Sequence, residues 1–518
     1  MHPRNTSLIA LLSISSLAHA LNVSLPTSPP DSSKPLVSTL LAFSLEQDRW
    51  PDWAGTDAPN PFTRNALGNY ARLTGTPPKI RVGANSEDHT VFSPTVTINE
   101  NSFPPPNTVT PYPEATSVVV GDGYYQLSRF MLPGTQMTWG LDLGLNNVTN
   151  AVNMAKSIIK AFRTPAVRRS GVTLESVELG NEPDLYRNNG LRPSNWSVSD
   201  YVTNWEALAG PVAAAAQLSK SGVSFLGASF AGQGFTPTQI FNLGILDSDG
   251  GKTISTISQH RYSAAFCNGG DFPLISFMNK ANVRGNLTVF NADIAATQQH
   301  GLRYIFGETG SIACHGAPGV SNTAGAALWV IDYTLQAATL GITEMFFHEG
   351  IGFKYNFFQP ISLDRSIIDG SALNPPQPAQ VQPSYYAGIV INTLIGRTGN
   401  AQIVELSVPD DNVSGYAAFE HGRLVRAVFV NLHAWLVSST GERPSVHIDL
   451  DFAGGRMGRR ATARRLVIGH ADDTKGLTFA GQSFETSDAS PRGRLATEFV
   501  DTAKGLDLSA TEAVLISF

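Results

Sequence analysis

From about residue 37 onward, short apolar runs that end in polar residues alternate with longer stretches of helical character. The runs are Val37–Ser44, Lys79–Asn85, Gln136–Leu143, Ser176–Asn181, Ser224–Ser229, Thr256–Tyr262, Arg303–Glu308 and Glu344–Glu349. Between them, Val148–Arg163 is apolar on one face, Trp205–Lys220 is alanine-rich, and Gly325–Leu340 has helical composition. Strand and helix in alternation imply parallel strands joined by right-handed crossovers. Eight such units predict an α/β fold, a (β/α)₈ TIM barrel with long loops, over residues 37–375. A doubly wound open sheet is the competing arrangement, but no G-x-G-x-x-G follows a strand.

The pattern then changes. Asn374–Tyr386, "NPPQPAQVQPSYY", is rich in proline and glutamine and reads as a linker or an exposed crossing. Beyond it come short, partly alternating β segments separated by turn residues: "AQIVELSV", "GYAAFEH", "LVRAVFVNLH", "SVHIDLDF", "ARRLVIG" and "EAVLISF". They predict an all-β sandwich domain over 376–518, with residues 21–36 as the candidate source of one more strand.

Composition narrows the classes. Hydrophobic residues make up 42% and charged residues 15%, a globular mixture. The net charge is −6, with 36 Lys+Arg against 42 Asp+Glu, so a nucleic-acid partner is disfavoured. Arg456, Arg459, Arg460, Arg464 and Arg465 form one basic cluster, read as a solvated face or as ion-pair partners. Residues 1–20 run from a basic start through a short apolar stretch to Ala18-His19-Ala20, the pattern of a secretory signal. No run is long enough for a membrane span. Sequons at Asn22, Asn147, Asn195, Asn286 and Asn412 fit a secreted, extracellular glycoprotein. Secretion would permit a disulfide between the only cysteines, Cys267 and Cys314. On the strand assignment they follow adjacent strands, six and seven, on one barrel face; two separate buried thiols are the alternative.

Barrel chemistry sits at the C-terminal ends of the strands. The fourth run leads into Asn181-Glu182-Pro183 and the seventh into Glu308. Two carboxyls there would face each other across the mouth, as glycoside hydrolysis requires. One protonates the leaving oxygen while the other attacks the anomeric carbon or activates water. A separation of ~5–5.5 Å would mean retention. Glu349, at the end of the eighth run, is the rival nucleophile. A G-x-S-x-G elbow and an H-E-x-x-H pair are both absent, so no serine-hydrolase chemistry, no catalytic metal and no cofactor are expected.

The stretches "RVGANSEDHT" (81–90), "VELGNEPDLY" (177–186), "FGETGS" (306–311) and "GVSNTAGAALW" (319–329) resemble glycoside hydrolase family 79, the β-glucuronidase and heparanase family, most of all its exo-acting fungal and bacterial branch. The resemblance implies Glu182 as acid/base, Glu308 as nucleophile, Asn181 on the sugar 2-hydroxyl and Tyr262 holding the nucleophile. It implies Glu46 and Asn85 on sugar hydroxyls, and Gly316 N–H with Tyr355 on the uronate carboxylate. Where that family pattern has a further tyrosine, this chain reads Ile312-Ala313-Cys314-His315, with His315 as a substitute donor; Lys354 reads as a surface lysine, with electrostatic compensation for the missing donor as its other reading. The implied activity is a retaining exo-β-glycosidase removing terminal β-linked glucuronic acid or its 4-O-methyl form, from a glucuronide-bearing glycan or small glucuronide, with a bell-shaped pH profile and an acidic optimum. An endo-acting hydrolase of acidic polysaccharide and a non-catalytic carbohydrate-binding protein are the alternatives. Oligomeric state is not legible.

Overall fold

The computed structural model describes residues 19–453 and 457–518. The signal reading therefore falls almost wholly on residues outside those described, as does Arg456. Among the described residues no helix is long and apolar enough to cross a membrane.

Eight parallel strands close into a barrel. In chain order they are Leu41–Glu46, Ile80–Gly83, Gln136–Leu141, Thr173–Leu179, Ser224–Phe230, Ile254–Ala265, Arg303–Ala313 and Met345–Glu349, here called barrel strands one to eight. Each of the eight sequence runs overlaps a barrel strand. Inside, Ala42, Leu226, Ile305 and Phe346 form a separate apolar cluster, the packed layer of a filled barrel rather than a pore. The helix Val148–Arg163 has the bounds read from its periodicity, capped by the Asn147 side chain on the Asn150 N–H.

Two boundaries differ from the sequence expectation. Strands six and seven run on past Tyr262 and Glu308, with His260 opposite Glu308 and Tyr262 opposite Gly310. These residues thus stand inside strands and hold fixed positions. The proline-rich stretch is not a free linker: Ala372–Gln377 pairs with Leu363–Arg365. The buried helix Ser384–Ile395 follows and packs against the helices Ala324–Thr339 and Pro61–Thr74. Barrel structure therefore continues past residue 375.

The C-terminal part holds an antiparallel sheet that includes Val413–Glu420, Arg423–Asn431, Arg460–Val467 and Glu512–Ser517. Its two faces have different partners. Ala417, Phe419, Ala427, Phe429, Val514 and Ile516 pack with Leu21, Val23, Leu25, Ile448 and Leu508 of a second, three-stranded sheet. Tyr416, Ala418, Val428, Val430 and Leu515 join the barrel core instead. Burial on both sides explains why these strands read as continuous apolar runs. His19–Pro26 supplies the edge strand of the smaller sheet, parallel to Ser445–Ala453. In the basic cluster, Arg459 pairs with Asp501 and Arg465 with Glu498 and Glu512.

Candidate active site

The loop after strand four is set by Asp88. Its carboxylate accepts from the N–H groups of Leu143, Gly144 and Asn181 and from the Tyr186 hydroxyl. Gly180 has φ +85°, and a Cβ there would stand 2.6 Å from the Tyr186 oxygen. Glu182 then adopts a left-handed conformation, φ 50° and ψ 49°, before Pro183 opens a short 3₁₀ turn. That geometry is uncommon without glycine and costs about 1–3 kcal/mol. It aims Glu182 across the mouth, where its Oε1 lies 2.9 Å from His260 Nδ1.

Glu308 projects from within strand seven. Its Oε1 accepts from the Tyr262 hydroxyl at 2.8 Å, and its Oε2 from Arg81 Nη1 at 2.8 Å. His348 Nδ1 lies 3.9 Å from the same Oε2. Arg81 is fully buried and binds Glu178, Ser44 Oγ, Asn181 Oδ1 and Glu308 together. Oxygen atoms of Glu182 and Glu308, together with a His260 ring nitrogen, all fall within 4.8 Å of one another.

Electrostatics separates the two carboxyls. Burial, reinforced by the charge of Glu308, pushes Glu182 up to about 8. Burial alone would raise Glu308 as well. His348, Arg81 and the Tyr262 hydroxyl outweigh it and bring Glu308 down to about 2. Burial lowers His260 to about 4, so its imidazole is neutral at neutral pH. Among the described residues its Nε2 has no partner, which favours the tautomer with the proton on Nδ1, donating to Glu182. His348 is the opposite case: Glu308 and Glu46 outweigh burial and raise it to about 9, so it is cationic.

The remaining expected residues divide. Asn181 is buried, with its Oδ1 committed to Arg81, which leaves its Nδ2 as the free donor. Glu46 is sealed in, accepting from the Ser86 N–H and hydroxyl with His348 Nε2 at 3.3 Å. Asn85 is exposed and donates to Glu114 at 2.7 Å. The Tyr355 ring lies 6.0 Å from the Tyr262 ring, and the Gly316 backbone sits at φ +80° in the loop after strand seven. Cys267 and Cys314 are disulfide-bonded. Glu349 does not reach the site: its oxygens accept from the Phe357 N–H and it is wholly buried.

His315 is partly committed: its Nε2 is bound to Glu114 Oε1 at 2.9 Å and its ring stacks on Phe353 at 3.7 Å, while among the described residues its buried Nδ1 has no partner. One expectation needs correction. Lys354 is not a surface lysine; it is fully buried. Among the sequons, Asn22, Asn147 and Asn195 are exposed. Asn286 and Asn412 are half-buried, with Asn286 bonded to Arg261 and Ser263 and Asn412 accepting from the Lys280 N–H.

Sequence reasoning places His260 and His348 at the ends of the sixth and eighth runs without a role, and misses Arg81 and Glu114 as site groups. Arg81 carried a signal, since it lies in a strand already placed in the barrel. Glu114 carried none, coming from the middle of the long segment between strands two and three. Glu182, His260 and Glu308 also have the spacing of a cation site. Their donor atoms are instead engaged with one another, Tyr262 and Arg81, and the guanidinium opposes further positive charge there.

A closed barrel with two carboxyls converging over its C-terminal mouth, one poised to donate a proton and one ionised, defines a glycoside hydrolase. Residues 415–515 match the glycosyl hydrolase family 79 C-terminal beta domain. The chain is 26% identical to a β-glucuronidase of Neurospora crassa, covering 93% of this chain and 90% of that one. It is 28% identical to a β-glucuronidase of Aspergillus niger, over 88% and 84%. Its fold resembles a solved 4-O-α-L-rhamnosyl-β-D-glucuronidase of Fusarium oxysporum, with TM-score 0.79, 23% identity and coverage of 96% and 100%. A family 51 α-L-arabinofuranosidase of Bifidobacterium longum is similar at TM-score 0.59 and 15% identity, with coverage of 96% and 99%.

Proposed function

We propose that the protein is a secreted retaining exo-β-glucuronidase. The observation that carries this reading is the convergence of Glu182 and Glu308 oxygens within 4.8 Å, closer than the ~6.5–9.5 Å of an inverting pair. Protonated Glu182 gives its proton to the glycosidic oxygen as the C1–O bond breaks. A Glu308 oxygen forms a bond to C1, producing a glycosyl ester with inverted configuration. Esterification removes the Glu308 charge, so the main charge that holds the Glu182 pKa up disappears. Glu182 is then a base, and the His260 Nδ1–H stabilises its carboxylate. It takes a proton from water, the oxygen bonds to C1, and the ester C–O bond breaks to release Glu308. Two inversions give net retention.

The glucuronide preference is supported by the β-glucuronidase relatives and by Gly316 and Tyr355 at the places the family uses for the acid group. Exo action is supported by the segment between strands two and three. It carries Glu114 into the site and is tied down by the Tyr112 hydroxyl on Asp364 at 2.9 Å. Secretion is supported by the signal-like residues 1–20 and by the disulfide.

A panel of aryl β-glycosides (glucuronide, 4-O-methyl-glucuronide, glucoside, galactoside and xyloside) tests the reading, with NMR of the first-formed anomer. Preferential release from the uronides with the β-anomer appearing first is expected. Preference for a neutral sugar, or the α-anomer first, would refute it.

A further inference from the structure

Lys354 is fully buried, yet among the described residues it forms no ion pair. Its Nζ donates to the Val109 carbonyl at 3.3 Å and stands 5.6 Å from the centre of the Phe266 ring. An ammonium removed from water with only a carbonyl and a ring for company is strongly disfavoured unless an anion completes its surroundings. No resident anion does so. The other cations of the site are already matched: Arg81 by Glu178 and Glu308, His348 by Glu46 and Glu308. Lys354 alone has charge left over.

Its position is specific. The Lys354 N–H donates to the His315 carbonyl at 2.8 Å. A Cβ on Gly316 would meet Lys354 Cβ at 3.1 Å. Tyr355 follows directly in the chain. Phe266, on which the ammonium rests, adjoins Cys267, and its N–H donates to Ala313 O at 3.1 Å. Lys354 therefore stands behind the wall formed by Gly316 and Tyr355, braced by the disulfide-linked loops. In that wall this chain lacks a tyrosine, and His315 Nε2 is already taken by Glu114.

We propose that Lys354 is the counter-charge for the substrate's carboxylate, a specificity-determining residue that acts through its field while Gly316 N–H and Tyr355 face the acid group. This inference rests on the uronide reading above. Burial lowers the ammonium to about 8, so it is charged over the acidic and neutral range in which Glu182 is protonated. The field favours a uronate over its neutral derivatives and contributes nothing to bond cleavage itself.

The test compares an aryl β-glucuronide with its methyl ester, which differs only in the charge. In Lys354→Met the ratio of kcat/KM for acid over ester should fall at least about tenfold, and Lys354→Arg should restore it to within about threefold. Melting temperatures of both variants are measured alongside. An unchanged ratio, or equal losses on both substrates, overturns the proposal in favour of a purely structural lysine. Because a buried-charge variant can fail to fold, the wild type is also titrated with D-glucuronate and neutral D-glucuronamide as inhibitors. The acid should bind at least about tenfold tighter; equal binding overturns the proposal. If the wild type hydrolyses no uronide at all, it is the proposed function that fails.

Discussion

The two ends of the barrel carry charge in opposite ways. At the bottom, where the strands begin, Lys79 and Arg303 meet Glu175 and Glu344 in a closed set of ion pairs. Cations and acids match, and Lys79 and Arg303 outweigh burial to hold Glu175 below its ordinary value. At the top, Glu46, Glu87, Glu114, Glu178, Glu182 and Glu308 crowd around Arg81 and the imidazolium of His348. There the surplus is acidic. Burial pushes Glu46, Glu87 and Glu182 up, with Glu114, Glu178 and Glu308 respectively adding to the shift. Matched charges fix strands in place; a surplus of acids keeps a proton where the reaction needs one.

That contrast can be broken at either end. Glu308→Gln should have the largest effect, a loss of kcat on the order of 10⁴-fold or more, about 5.5 kcal/mol or beyond. A mechanism-based glycosyl label should also stop attaching. Residual activity near wild type would remove Glu308 from its role. Glu182→Gln should lower kcat/KM by roughly 10²–10⁴-fold on substrates with poor leaving groups. The first step should suffer far less with dinitrophenyl aglycones, since these need no proton; a uniform loss across leaving groups would argue against an acid.

Reducing the Cys267–Cys314 bond releases a loop spanning 47 positions and should remove roughly 3–4 kcal/mol of stability. Denaturant melts with and without reductant measure this. At the bottom, Lys79→Met leaves buried Glu344 short of a partner and should cost about 3 kcal/mol in the same melts. The pH–rate profile should stay in place, because Lys79 takes no part in the chemistry. The smallest effect is at the top. With Glu308 near 2 and Glu182 near 8, activity needs pH above the first value and below the second, which gives a broad plateau. His348→Gln removes a cation that favours ionised Glu308. The acidic limb of kcat/KM should therefore move up by about one pH unit, with little change at the basic limb. An unmoved acidic limb would show that His348 does not set the nucleophile.

Stability follows the same charges with opposite signs. Glu308 has a lowered pKa, so its contribution is present above about 4.5 and lost as pH falls through about 2. Glu182 has a raised pKa, so the unfolded chain ionises first and stability declines as pH rises from about 4.5 towards 8.

The strand–helix alternation, the Asn-Glu-Pro turn and the Gly-Glu-Thr segment of strand seven were legible in the chain because barrel strands buried on both sides must be continuously apolar, and because the catalytic carboxyls follow or sit within such runs. Cys267 and Cys314 were paired from the same map. What stayed hidden depended on contacts between distant segments. The carboxylate of Glu114 arrives from a proline-rich excursion with no periodicity. The ring of His315 turns away onto Phe353. The ammonium of Lys354, polar by composition, is sealed by Val109 and Phe266. Residue order dictated which elements form and which two acids they present, since local periodicity and strand position suffice for both. Only the closed barrel decided which acid keeps its proton and which cation lacks a partner, because burial and charge depend on neighbours that folding brings together from far along the chain.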